Sequence, residues 1–212
     1  MMNIWTFWTD GLADVLGFLS ADGGLSPALA ILVLTLMLRL AIMPLSVAAA
    51  LRADRIRRRL DALKPELDGL RARLHGDRQA LAAQTMALYR QHGIRFLDRV
   101  TLANLAGQTA FGLGMFRMLR KAKLGGGFLW IADIARPDLL LALVSGALMT
   151  LAMSLAPAAQ SPMSPLILII PLAISIISIA SLPSAIGLYW AGSNLASLSQ
   201  TLLVRRIIAR RS

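Results

Sequence analysis

The sequence predicts an all-α integral membrane protein: five transmembrane helices around a hydrophilic groove, a cytoplasmic helical hairpin, and an N-terminal interfacial amphipathic helix. Three observations predict it. The 212 residues are 57% hydrophobic, and the apolar ones fall in blocks about as long as the roughly 20 residues that cross a bilayer. The formal net charge is +11, yet the basic residues stand mostly between the blocks. One block, residues 27–51 (PALAILVLTLMLRLAIMPLSVAAAL), holds a single guanidinium, Arg39, near its middle. There is no cysteine, which excludes disulfides, thiol catalysis and Cys-ligated metals.

Residues 1–25 open the chain without a basic n-region or a small-residue cleavage site, so they do not read as a signal peptide. At helical spacing Trp5, Trp8, Leu12, Val15 and Leu16 share one face, while Asn3, Thr6, Asp10 and Asp14 lie elsewhere. That pattern predicts an interfacial helix with its tryptophans at headgroup level. Ser26-Pro27 is a helix start, Ser as N-cap and Pro at the first helical position. The first span follows at 26–51. Residues 52–97 are charged and helical in period. Leu60, Leu63, Leu67, Leu70 and Leu74 predict one amphipathic helix, His75-Gly76-Asp77 a turn, and Leu81 to Tyr89 a second, shorter helix ended by Gly93.

Four more apolar blocks predict spans at 98–119, 138–156, 163–181 and 184–204. The connection 120–137 contains Gly125-Gly126-Gly127 and then FLWIAD, which predicts a flexible extracytoplasmic loop followed by an aromatic anchor. The connection 157–162 is short and uncharged, Ser181-Leu182-Pro183 is a tight turn, and 205–212 is a basic tail. The hairpin segment carries eleven Lys and Arg and the tail four. With five spans both fall on one side, so the positive-inside rule puts them in the cytoplasm and the N-terminus outside. Arg117, Arg120, Lys121 and Lys123 oppose this assignment from the outer side.

Every predicted span has a polar stripe: Thr35, Arg39 and Ser46; Thr101, Asn104 and Gln108; Ser145, Thr150 and Ser154; Ser175 and Ser178; Ser193, Ser197 and Gln200, with Asn194 and Thr201 adjacent. For serines and threonines close helix packing is explanation enough. Amides cost several kcal/mol when buried without partners, and a guanidinium at mid-bilayer costs about 2.5–3.5 kcal/mol on insertion scales. No Asp or Glu lies inside the apolar blocks; Asp98 and Asp138 stand only at the first positions of their spans. Arg39 must therefore find water, backbone carbonyls or amides, which points to a wet hollow floored by Arg39. Catalysis finds no support: His75 and His92 lack a metal-ligand pattern, Asp133 and Asp138 lack an acid–base partner at readable spacing, and no nucleophile or phosphate-loop motif occurs. No cofactor, metal or small-molecule substrate is expected. The basic hairpin fits three readings: a topology signal, attraction to anionic lipid at roughly 1 kcal/mol per residue near the surface, or docking to ribosomal RNA or a nascent chain.

Four segments, in order, resemble the YidC/Oxa/Alb membrane protein insertases: TLMLRLAIMPL, LDALKPELDGLRARLHGDRQALAAQTMALYRQHG, FLWIADIARPD and LPSAIGLYWAGSNLASLSQTLLVRR. The resemblance implies a bacterial inner-membrane, five-span fold with a groove closed to the outside and open to the cytoplasm and lipid. It implies a substrate's polar segment entering that groove while its apolar helix passes into lipid. Arg39 would be the groove arginine, with Thr35, Asn104, Gln108, Ser175, Ser178 and Ser193 as lining. Arg55, Arg58, Arg59, Lys64, Arg71 and Arg73 would make the hairpin's contacts. Implied partners are newly made membrane proteins and lipid, with the ribosome and a Sec-type translocon as candidates. The chain departs from the family in lacking proline in its second span and Asn-Pro after Gly93, which marks it as a divergent, minimal member. Two other functions fit the residues: an anion-binding transporter or channel component using Arg39, and an assembly chaperone of the same fold that does not insert.

Overall fold

The computed structural model describes residues 3–156 and 165–210, and every regular element among them is a helix. These are α1 (Ile4–Ala21), α2 (Pro27–Ala62), α3 (Lys64–Arg73), α4 (Arg78–Gln91), α5 (Arg99–Lys121), α6 (Leu139–Ser154), α7 (Pro165–Ala180) and α8 (Ser184–Ala209). The all-helical expectation holds. Among the described residues, α2 is the one helix both long and apolar enough to cross a membrane by itself, and α6 is a shorter apolar helix. The connection expected at 157–162, and the start of the fourth span, lie outside the described residues.

Helix α2 begins as its sequence dictates. Ser26 Oγ accepts from the Leu29 N–H at 3.4 Å, with Pro27 in the first turn. It then passes through Pro44 and continues well beyond Leu51. Its 36 residues extend about 54 Å at 1.5 Å per residue, against roughly 30 Å of hydrocarbon. Residues 52–62, expected in the hairpin, are thus a rigid continuation of the first span. The break falls at Leu63 because Pro65 has no N–H for the ladder and its ring opposes the carbonyl one turn earlier. The single amphipathic helix expected over Leu60–Leu74 is therefore two. Leu63, Leu67, Leu70, Leu88 and Ile94 still bury together, and Ile56 and Leu60 of α2 pack on them. The hairpin has its own small core, anchored to the end of α2.

Helix α1 has three faces. Leu12 and Leu16 are buried, and Trp8 turns inward, its indole N–H donating to the Ala110 carbonyl of α5 at 3.1 Å and its ring 5.5 Å from Phe111. Asp10 and Asp14 lie on a polar face, and Ile4, Phe7, Val15 and Phe18 form an exposed apolar one. The expected grouping changes at one residue: Trp8 packs inward with Leu12 and Leu16, while Val15 lies outside. Two cations near the C-terminal end of α5 find aromatic seats. Arg117 lies 5.3 Å over the Trp5 ring and Arg120 6.0 Å over Phe116, contacts worth about 0.5–1 kcal/mol at exposed sites.

The glycine-rich connection is a folded plug, not the flexible loop expected. Phe128 and Ile131 exchange backbone hydrogen bonds at 2.8 Å, and the Ile134 N–H donates to Gly126 O at 3.0 Å. Gly126 sits at φ +104, a region closed to most side chains. A Cβ on Gly127 would stand 3.3 Å from the carbonyl oxygens of Ile131 and Ala132. These turns drive Ile131 and Ile134 into the main core beside Ile31, Met115, Ile186 and Tyr189. The start of α8 seals onto the plug: the Ser184 N–H and Oγ both donate to Arg136 O, at 2.9 and 2.6 Å, and the Ala185 N–H donates to Ile134 O at 2.9 Å.

Helix α8 is the hub, packed against α2, α6, α5 and the end of α7. Asn194 of α8 clamps α6, donating to Ser145 O at 3.0 Å and to its Oγ at 3.1 Å. Its amide nitrogen is thereby satisfied in a helix contact. The plug predicts its own energetics. Ile134 is fully buried, so Ile134→Ala is expected to cost about 2–5 kcal/mol. Leu129→Ala, at an exposed loop position, is expected to stay within about 0.5 kcal/mol. Thermal unfolding of the solubilised protein reads both.

Candidate functional site

Three helices converge on Arg39. The i, i+4 and i+11 positions of α2 put Thr35, Arg39 and Ser46 on one side, facing α5 and α8. On α5, Asn104 and Gln108 are one turn apart. On α8, Tyr189 and Ser193 are likewise one turn apart. The Arg39 Nε–H donates to Ser193 Oγ at 2.6 Å and its Nη1–H to Gln108 Oε1 at 2.6 Å. Gln108 Nε2 then reaches Ser46 Oγ at 3.5 Å, and the Ser46 hydroxyl donates to Asn104 Oδ1 at 2.7 Å. The donors all run one way, from the cation towards the end of α2 that leaves the apolar block. Each bond polarises the next, so the seam extends the positive potential of Arg39 along its length.

All partners of the guanidinium are neutral. No ion pair among the described residues includes Arg39. Its Nη2 has no protein hydrogen-bond partner among the described residues, and the side chain is only part-buried. The charge is held in place but not neutralised, which suits a carboxylate or water as the missing acceptor.

Space around the seam is graded. Beside Arg39, between Thr35, Gln108, Phe111 and Tyr189, a crevice of about 10 Å³ has room for about one water. Further along, α2, α5 and α8 enclose an open vestibule of about 460 Å³, with Ser46, Ala49, Thr101, Asn104 and Gln200 in its wall. A third cleft, of about 170 Å³, reaches Arg39 from the side between Leu36, Leu40, Met43 and Ala196. In the other direction the seam ends against the plug and the core around Met115 and Ile31. At Arg39 itself the expected hollow is a narrow crevice; the vestibule is a separate space that shares no lining residue with it.

Of the residues expected in the groove, Arg39, Gln108, Ser193 and Asn104 are brought into one hydrogen-bonded chain. Thr35 lines the crevice, but its hydroxyl is spent on Ile31 O at 2.7 Å. Ser175 and Ser178 lie on α7, which packs mainly on α6, outside the chain. Of the expected hairpin cations, Arg55, Arg58 and Arg59 belong to α2, while Lys64, Arg71 and Arg73 belong to α3 or its start. Several are occupied locally: Arg58 with Asp54 at 2.9 Å, Lys64 with Asp61 at 2.7 Å, and Arg71 with Asp68 at 2.7 Å. The Lys64 hydrogen bond holds the Asp61 carboxyl below the usual carboxylate range.

The sequence reading missed Tyr189 and Gln200 as lining residues, and it missed Asp98. Tyr189 stands one turn before Ser193, a signal readable in the period. Asp98 caps α5 through the Thr101 N–H at 2.8 Å and pairs with Arg52 of α2. Hydrogen bonds from Thr101 and then from Arg52 hold its carboxyl down at about 2. This ion pair ties α2 to α5 at the rim of the vestibule.

The model of the family described as the 60Kd inner membrane protein matches residues 18–211. Comparison with curated proteins finds no match. The chain belongs to this family, the YidC/Oxa/Alb membrane insertases, whose members act as membrane insertases or chaperones rather than as a known enzyme class. It is an inner membrane protein, and membrane proteins and lipid are the partners that its family implies.

The site predicts a split between stability and function. An apolar residue in place of a desolvated charge is often neutral or stabilising, by up to about 4 kcal/mol. Arg39→Met is therefore expected to leave the melting temperature unchanged or raise it. Gln108→Leu keeps the charge and removes its acceptor, and is expected to cost about 1–3 kcal/mol.

Proposed function

We propose that this insertase-family chain receives a client's polar outer segment in the vestibule, passes it along the Asn104–Ser46–Gln108 seam to Arg39, and releases the client's apolar helix into lipid. The observation that carries this reading is a mid-span guanidinium with neutral partners and one nitrogen still unpartnered. In hydrocarbon each unsatisfied backbone group costs several kcal/mol. A polar path from one side to mid-membrane leaves only half that barrier. A cation at the path's end attracts acidic client residues more strongly than it would in water. The driving force is burial of the client's own helix, about 1.5–3 kcal/mol per large apolar side chain, so no cofactor is needed.

The five-span topology, with N-terminus outside and hairpin and tail in the cytoplasm, belongs to the same proposal. It sets the vestibule on the cytoplasmic side and the plug outside. The separate core of α3 and α4 suits a unit that meets clients as they leave the ribosome or a Sec-type translocon. Helix α5 runs unbroken over 23 residues, without the proline usual in the family. A helix less able to bend favours a narrow set of clients. The plug also weighs against an anion transporter, which needs an outer gate where Ile131, Ile134 and Met115 fill the space.

Client insertion in reconstituted vesicles tests the proposal. Arg39→Ala is expected to slow insertion of clients with acidic outer segments at least tenfold and of neutral ones much less, with Arg39→Lys in between. Equal loss for both client types, or small-anion flux that depends on Arg39 while insertion is intact, contradicts it.

A further inference from the structure

A second basic site lies outside the groove. A cleft of about 380 Å³ opens between the emerging end of α2 and the linker from α4 to α5, lined by Arg52, Arg55, Arg59, Gly93, Arg95 and Asp98. Its one carboxylate is already engaged, Oδ1 with the Thr101 N–H and Oδ2 with Arg52. Arg55, Arg59 and Arg95 take part in no ion pair among the described residues, whereas Arg58, Lys64 and Arg71 on neighbouring faces each do. Three exposed guanidinium groups thus share one concavity. Gly93 keeps it open: it sits at φ +63, and the nearest side-chain atom to a Cβ there would be Arg59 Nη1, at 4.0 Å. A side chain at 93 would point into the cleft.

The depth of the cleft indicates what it meets. Arg52 follows Arg39 by thirteen residues, or about 20 Å of helix. With Arg39 at mid-bilayer, the hydrocarbon ends about 15 Å away, so the cleft begins in the headgroup layer. Beside it, Phe96 and Leu97 of the same linker are exposed, by 49% and 68%. Phe96 rests edge-on against Tyr89, 5.6 Å between ring centroids, with half its surface still open. Two exposed apolar side chains next to three arginines outside any ion pair among the described residues are amphipathic in the manner of a lipid contact: acyl chain against the first group, phosphate against the second. The placement of the cleft at headgroup depth, with the aliphatic Leu97 exposed beside it, favours a lipid over a nucleic acid.

We propose that the cleft of Arg55, Arg59 and Arg95 binds the phosphate of an anionic phospholipid, seating the foot of α2 on the membrane surface. A guanidinium gives phosphate paired, charge-assisted hydrogen bonds, and basic pockets near the bilayer surface bind acidic headgroups. Arg52, held by Asp98, fixes the cleft wall.

The test uses the full chain in detergent, titrated with phosphatidylglycerol or phosphatidylethanolamine and read by native mass spectrometry. The triple variant Arg55→Gln, Arg59→Gln, Arg95→Gln is expected to bind phosphatidylglycerol at least tenfold more weakly, with phosphatidylethanolamine unchanged. The triple variant Arg71→Gln, Arg73→Gln, Arg78→Gln loses the same charge elsewhere and is expected to bind as the parent does. Inorganic phosphate at tenfold excess is expected not to displace the lipid, and Phe96→Ser with Leu97→Ser to weaken binding at least threefold. Equal loss in both triple variants would reduce the site to diffuse attraction. Displacement by inorganic phosphate would make it a soluble-anion site. Unchanged lipid binding in the first triple variant, with ribosomal RNA binding lost instead, would assign the cleft to nucleic acid. Each of these outcomes overturns the proposal. A matching melting temperature for both triple variants confirms that they fold.

Discussion

The structure is organised around one unneutralised charge. A guanidinium in the middle of α2 is tolerable only if polar atoms reach it, and here they come from two other helices: Gln108 of α5 and Ser193 of α8. Both supply neutral acceptors. An acidic partner would have made a closed ion pair with nothing to offer a third group. Neutral acceptors hold the side chain steady and leave its charge unspent. Because those acceptors must meet Arg39 at one level, the register of α2, α5 and α8 is set by this contact as well as by apolar packing.

The second constraint is asymmetry. On one side of Arg39 the space is filled by Ile31, Met115, Ile131, Ile134 and Ile186, capped by α1 and the folded glycine turn. On the other side the same helices diverge into a vestibule lined by Ser46, Thr101, Asn104 and Gln200. One half of the bundle is packed solid and the other opens into a cleft with both polar and apolar walls. The Arg52–Asp98 pair bridges two walls at the open rim, so the vestibule is held to a defined width. The crevice at the arginine itself, about 10 Å³, admits about one water.

Much of this was legible in the chain. Arg39 stood out by its position in an apolar run, and helical spacing placed Ser46, Asn104, Gln108 and Ser193 on facing stripes. Their mutual distances were not legible, since period gives a face and not a neighbour. Three features escaped for distinct reasons. The run Gly125–Gly127 reads as a flexible linker by composition, but positive φ at Gly126 and a close carbonyl contact at Gly127 are what a tight turn needs, and only the tertiary partner Ile134 decides between them. The charged stretch after Leu51 reads as a new unit, yet charge does not end a helix; Pro65 does. Ser175 and Ser178 formed a stripe like the others, but α7 packs mainly on α6, and small polar residues serve close packing equally well.

The claim that water reaches Arg39 from one side only can be measured directly, because the parent chain has no cysteine. Single cysteines are introduced as Asn104→Cys, Gln108→Cys and Met115→Cys in oriented membranes, and a small membrane-impermeant thiol reagent is applied to each face. The account expects fast labelling at 104, slower labelling at 108 and none at 115, and only from the face that carries the α3–α4 hairpin. Labelling at 115 from the opposite face, or no labelling at 104 and 108 from either, would contradict it.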